Sequence, residues 1–236
     1  MLKKTIALIL CAVVALCLFA GCNKQDAAST TPGTTAGTTP GTTVGTTATT
    51  STEPTTNIYE ESTPAGTLYL TFGAAIEIIY DDEGRALQIS GKNEAGKAIA
   101  NACQNQLGKE CVFAARAILR YTSDNQLVGD AKTVAVRVGK GEATPDAEFL
   151  DTIVTDCQYL VDEECAGLRL VKIGEERLTE DGELTLDAAK RLAFYFLNIP
   201  EADITGNNEP VDGVYTLTGG EKSCTVDAFT GMVTAK

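Results

Sequence analysis

Residues 29–56 are dominated by Thr, Gly, Pro and Ala, and within them Pro32-Gly33-Thr34-Thr35, Ala36-Gly37-Thr38-Thr39, Pro40-Gly41-Thr42-Thr43 and Val44-Gly45-Thr46-Thr47 repeat with a period of four. Such a stretch offers no large apolar side chain for burial, so nothing offsets the entropy of ordering it, and it is expected to stay disordered. Its threonines also suit glycosylation. As a flexible tether, residues 23–57 have an r.m.s. reach of about 30 to 35 Å and a limit of about 115 Å. The tract therefore confines folding to residues 58–236, whose 179 residues suffice for one medium or two small domains.

Ahead of the tether, Lys3 and Lys4 precede an apolar run over residues 5–20, which closes on Leu18-Phe19-Ala20-Gly21-Cys22. This is the pattern of a secretory signal, and the run is short for the roughly 20 residues a spanning helix needs. The closing residues resemble a bacterial lipobox, with Phe19 where an aliphatic residue is more usual. The resemblance implies that Cys22 becomes the lipidated first residue, carrying palmitate among its acyl chains. Several chains on one cysteine hold stably, since each buried methylene adds about 0.8 kcal/mol. The expected organisation is a signal peptide at 1–21, a tether at 22–57, and folded parts at 58–174 and 175–236. The expected location is extracytoplasmic, lipid-anchored to the bacterial cell membrane.

Charge and residue absences narrow the function. The chain carries 19 Lys and Arg against 32 Asp and Glu. Removal of residues 1–21 takes away two lysines and no acid, leaving 17 basic and 32 acidic residues, a net of −15. Nucleic acid is not an expected partner, because its phosphates need clustered cations. The membrane is met only through the anchor at Cys22, since so acidic a chain is repelled by anionic lipid. There is no His and no Trp. The first excludes Ser-His and Cys-His catalysis and His-bearing zinc and haem sites; the second weakens a sugar-stacking site, for which Tyr59, Tyr69 and Tyr215 remain. No cofactor and no metal is expected.

Periodicity assigns the elements. Leu68 to Phe72 alternates, Ile76, Ile78 and Tyr80 share a face, and Asp81-Asp82-Glu83-Gly84 reads as a turn into the strand Ala86 to Ser90. Calcium on those three acids is the weaker reading beside a solvated turn. Ile99, Cys103 and Leu107 sit at helical spacing, as do Phe113, Ala114, Ala117, Ile118 and Tyr121. Thr133 to Val138 reads as a strand. Residues 146–164 read as the clearest helix, with Thr144 as N-cap, Pro145 in first position and Phe149, Leu150, Ile153, Val154, Cys157, Leu160 and Val161 on one face. Leu168 to Ile173 is again a strand. The order β-β-β-α-α-β-α-β predicts an α+β fold, a mixed sheet packed with helices.

Within this pattern, Ala75-Ile76-Glu77-Ile78, Asp82-Glu83-Gly84 and Lys92-Asn93-Glu94-Ala95-Gly96-Lys97 make residues 66–174 resemble the juxtamembrane extracytoplasmic domain of RsgI-type anti-sigma factors. In that family an Asn-Pro-Ser-Ile/Val-Glu segment self-cleaves at its Asn-Pro bond. The matching positions here are Gly73, Ala74, Ala75, Ile76 and Glu77, of which only Ile76 and Glu77 agree. Gly73 has no side chain to act as the internal nucleophile, so the resemblance implies a retained fold with self-cleavage lost. A sigma-binding segment ahead of a membrane span is not expected, since only a signal peptide precedes Cys22.

The segment 184–236 has its own pattern. Leu184-Thr185-Leu186-Asp187-Ala188-Ala189-Lys190 opens a helix with Leu186, Ala189, Ala193 and Phe196 facing inward, and 213–217 and 224–233 read as strands. This opening, the Asp212-Gly213-Val214-Tyr215 run and residues 226–231 are similar to PepSY domains. The likeness implies a small helix-plus-antiparallel-strands unit with a non-catalytic role such as peptidase modulation. Asp227 to Gly231 reads as a tight turn between strands rather than a ligand site.

Beyond Cys11, Cys17 and Cys22, five cysteines remain: Cys103, Cys111, Cys157, Cys165 and Cys224. An odd number leaves at least one free or paired between chains. The equal spacings Cys103 to Cys111 and Cys157 to Cys165 admit pairing across helices, but Cys103 and Cys157 read most simply as core residues. Three function classes follow. The leading one is a non-catalytic surface module that binds a protein, peptide or envelope polymer. The alternative is an accessory of envelope signalling or peptidase modulation. The third, an enzyme pairing Glu77 with an acid among residues 162–164 in glycosidase fashion, is the weakest, because those acids sit where a solvated helix end is expected.

Overall fold

The structure is a computed structural model and describes residues 62–236 apart from 165 and 166. The expected signal sequence and tether, with Cys22, Tyr59 and Cys165, lie outside the described residues. The described residues belong to a single compact unit. Among the described residues no helix is long and apolar enough to cross a membrane.

The α+β class is as the sequence predicts. Strands β1 (Gly66–Thr71), β2 (Ala75–Tyr80) and β3 (Ala86–Gly91) form an antiparallel meander. Helices α1 (Glu94–Ala102) and α2 (Cys111–Asp124) then lead to β4 (Thr133–Val138), and α3 (Phe149–Glu164) crosses over to β5 (Arg169–Lys172), parallel to β4. The five-stranded sheet has the order β3-β2-β1-β4-β5. Its first face carries Leu68, Leu70, Ile76, Ile78, Tyr80, Val134 and Val136 into a core with α1, α2 and α3.

Residues beyond β5 cover part of the second face. Helix α4 (Leu186–Leu197), capped by Thr185 Oγ1 accepting from Ala188 N, packs on β4 and β5 on one side. On its other side is an antiparallel sheet ordered β6 (Thr205–Gly206), β7 (Val214–Gly219), β8 (Lys222–Asp227) and β9 (Val233–Ala235). The second core therefore joins Leu192, Phe196, Leu217 and Val226 to Ala135, Val171 and Ile173, reaching back across the boundary expected at 174/175. That explains why β4 is buried at every position, where alternation alone predicts one polar face.

Three local expectations are corrected. Helix α3 starts at Phe149, not near Pro145, and Thr144 caps nothing: Asp146 Oδ1 instead takes Glu148 N at 2.7 Å in a turn that delays the helix. The buried stripe of α2 is Cys111, Ala114, Ala115, Ile118, Leu119 and Thr122, turned so that Phe113 is exposed. Helix α1 ends before Cys103, and Gln104 Nε2 donates to the Ile89 and Ala100 carbonyls as the chain turns away toward Leu107.

Candidate functional site

Helix α4 and its sheet cover the second face only over β4 and β5, so the outward side chains of β1 and β2 remain open beside them. Cross-strand register then sets a row: Glu77 pairs with Tyr69, and Tyr69 with Arg137, so the three lie side by side over β2, β1 and β4. They floor a cleft of about 480 Å³ whose opposite wall is the β8–β9 turn with Phe229 and Thr230.

The turn reaches the sheet through its backbone. Asp227 Oδ1 accepts from Phe229 N, Thr230 N at 2.7 Å and Thr230 Oγ1 at 2.8 Å, and Gly231 follows with φ +77°. A Cβ at Gly231 would lie 3.1 Å from that of Ala135. The expected tight-turn role of Asp227 is what the structure has: its Oδ1 takes all three of these bonds inside the hairpin. The turn also sends the Phe229 carbonyl to Arg137 Nη2 at 2.7 Å and leaves the Phe229 ring exposed on the rim.

Arg137 is the unusual group. It is 7% exposed, with its guanidinium carbon 4.0 Å from the centroid of the Tyr69 ring. Its Nε is the only buried side-chain nitrogen or oxygen among the described residues that has no hydrogen-bond partner. None of the ion pairs among those residues reaches it, because Lys92 Nζ holds Glu77 at 2.8 Å and Glu142 accepts from Thr67 N at 2.6 Å. Burial pulls the guanidinium below its ordinary value, against the influence of Tyr69, Glu77 and Glu142. Burial also raises the Tyr69 phenol, with help from Glu77. Leaving a buried cation without a carboxylate costs several kcal/mol in general.

Two of the three stretches that carry the sequence resemblance, 75–77 and the one opening at Lys92, meet at one edge of this cleft. Ala75, Ile76 and Glu77 line it, with Ile76 buried beneath, while Gly73 and Ala74 form the β1–β2 turn. Asn93 joins that turn to α1: its Oδ1 accepts from Ala75 N at 3.1 Å and Gly96 N at 2.8 Å, and its Nδ2 donates to the Gly73 carbonyl at 3.0 Å. A Cβ at Gly96 would collide with the Ala75 carbonyl, which is why the helix start can sit so close.

Other candidate positions are used differently. Tyr215 is buried and donates to the Leu184 carbonyl at 3.1 Å, so it cannot stack a sugar. The acids of 162–164 lie on α3, which packs on the first sheet face, whereas Glu77 faces the second; the sheet separates them and no glycosidase pair forms. Asp81 is buried and takes Arg85 N at 2.8 Å and Arg85 Nε at 2.9 Å, leaving a turn rather than a cation cage. No group of three or more Cys, Asp or Glu among the described residues could hold a metal. Cys103, Cys111, Cys157 and Cys224 are free and buried, so no pairing across helices joins any two of these four. Burial pushes Cys111 and Cys157 up to about 12 and Cys224 to about 11.

Sequence reasoning missed Arg137, Phe229 and Lys92 as site residues. The available signal was Arg137 itself, a lone charge inside the apolar strand Thr133-Val134-Ala135-Val136-Arg137-Val138. No protein-family model matches the chain, and no curated protein matches it.

Proposed function

We propose that this chain is an extracytoplasmic binding module, lipid-anchored at Cys22 and held off the bilayer by its tether, that takes a protein or peptide segment in the cleft floored by Glu77, Tyr69 and Arg137. The observation that carries the reading is that cleft: two aromatic rings, one of them exposed, flank a buried arginine with unused donor capacity. Binding sites combine apolar contact area with a few placed polar groups in this way. A non-catalytic role is supported by the thiols, all four described ones being buried and held as neutral, unreactive groups. The likeness of residues 66–174 to RsgI-type extracytoplasmic domains and of 184–236 to PepSY units supports the second reading, an accessory of envelope signalling or peptidase modulation. The observation in its favour is that the segment matching the family's cleavage motif forms one edge of the cleft.

The test is site-specific photo-crosslinking in intact cells. A photoreactive residue in place of Phe229 should yield a discrete adduct, and one in place of Tyr159, exposed on α3, should not. Equal labelling at both, or none at Phe229, would count against the cleft as the binding face. In the same cells, Cys22→Ser should abolish palmitate incorporation.

A further inference from the structure

We propose that Arg137 is the anchor for a carboxylate of a short peptide, whose neighbouring apolar side chain lies against Phe229 and Tyr69. The proposal rests on the cleft being the binding site and names what it takes. A guanidinium carries five N–H donors in a planar fork that a carboxylate matches with two parallel hydrogen bonds. Here the Phe229 carbonyl takes Nη2, Nε is buried without an acceptor, and Nη1 has no bond among the described residues, so the outer end of the fork is what a carboxylate entering the cleft meets. The carboxylates that could serve from within are committed elsewhere, Glu77 to Lys92 and Glu142 to Thr67. An acceptor brought by a ligand is the partner this group lacks.

The rest of the cleft selects the class of ligand. Glu77, Glu142, Glu180 and Asp181 line it against Lys92, Arg137 and Lys140, with Lys92 held by Glu77 and Lys140 by Glu175, so a doubly charged phosphate meets a net acidic lining, whereas a singly charged carboxylate next to N–H donors meets both the arginine and acceptors for those donors. A peptide end or an acidic residue within a peptide has that arrangement of donors beside a carboxylate. A volume of about 480 Å³ also falls among pockets that take small ligands rather than long chains. The exposed Phe229 ring supplies the apolar contact.

Equilibrium dialysis with mass-spectrometric readout tests this on the chain from residue 23 to 236. Three pools of N-acetylated tripeptides are compared: one with free C-terminal acids and no Asp or Glu, the same pool amidated, and an amidated pool with Glu at one position. Retention of the free-acid pool about tenfold above the amidated one is expected, and Arg137→Met should remove that advantage. Retention of only the Glu-bearing pool would place a side-chain carboxylate on Arg137 and still support the proposal. The acid-against-amide comparison is made on the unaltered chain and holds even if the variant disturbs the turn. Equal retention of acid and amide pools would overturn the carboxylate assignment while leaving the cleft a binding site. Retention of none would overturn it for short peptides, with the crosslinking at Phe229 deciding separately whether the cleft binds at all.

Discussion

The guanidinium of Arg137 lies 4.0 Å above the ring of Tyr69, its direct cross-strand partner on β1. The ring closes one face of a cation that has no carboxylate partner, and the Phe229 carbonyl, 92 residues further along the chain, meets its edge. The contact therefore fixes both the floor of the cleft and the position of its far wall.

Removing the ring should test that arrangement. Tyr69→Leu deletes the face under the cation and should lower unfolding free energy by about 1–2 kcal/mol, in the range of partly desolvated cation–π contacts. Tyr69→Phe keeps the face and should stay within about 0.5 kcal/mol of the parent. Urea denaturation of the two variants checks the difference. An equal loss in both would show that the hydroxyl rather than the ring matters.

Asn93 is the latch between the β1–β2 turn and α1. Asn93→Ala removes the helix cap, the acceptor for Ala75 N and the donor to the Gly73 carbonyl, and should cost about 2–3 kcal/mol. Asn93→Asp keeps both acceptor roles but sets a carboxylate against the Gly73 carbonyl, and should fall between parent and alanine. Thermal denaturation of the three proteins orders them.

Asp81 should set part of the acid limit. Its burial opposes ionisation, but the backbone and side chain of Arg85 and the Glu83 N–H outweigh burial and hold the carboxyl below its ordinary range. A group whose folded pKa is lowered stabilises fully above its unfolded value, about 3.9, and loses that contribution as pH falls through the folded one. Asp81→Asn should therefore cost about 1.5–3 kcal/mol at neutral pH and progressively less below about pH 4. Unfolding free energies at several pH values provide the check, and a constant difference would remove the charge from the explanation.

The order of elements was legible because the apolar face of each strand and helix repeats with its own period. Glu77 and Tyr69 could be picked out on β2 and β1. Arg137 could not be read as a site residue, since what covers it is a turn distant in sequence, and periodicity within β4 carries no information about that docking. The rotation of α2 was hidden for a related reason: Ala115 and Leu119 are as apolar as Phe113 and Tyr121, and only packing chooses between the two faces. Helix α3 starts late because Asp146 bonds locally, and local side-chain bonds compete with helix starts wherever Thr, Pro and Asp cluster.

The thiols give an alkaline counterpart. Burial raises Cys111 and Cys157 to about 12, against about 8.5 in an unfolded chain. Raised values stabilise the fold below the unfolded pKa, and that stability is lost as pH rises above about 8.5. At about pH 8, Cys103, Cys111, Cys157 and Cys224 should resist iodoacetamide in the native chain and react fully in urea. Rapid native labelling of any of these four would reopen thiol chemistry as a function.

Gly73 bears on whether the resemblance to self-cleaving domains extends to chemistry. It sits with φ +65° in the β1–β2 turn, and its carbonyl, the acyl side of the Gly73–Ala74 bond, accepts from Asn93 Nδ2 at 3.0 Å. That donor polarises the carbonyl, but with no side chain at 73 nothing stands ready to attack it. The chain from residue 23 should therefore run as one uncut mass after prolonged incubation. Gly73→Asn should fold, since Asn tolerates positive φ and the nearest atom to a new Cβ is the Val128 carbonyl oxygen at 3.9 Å. A break between Gly73 and Ala74 in the unaltered chain would mean that the Asn93 contact suffices without an internal nucleophile, and the signalling reading would then displace the passive binding module.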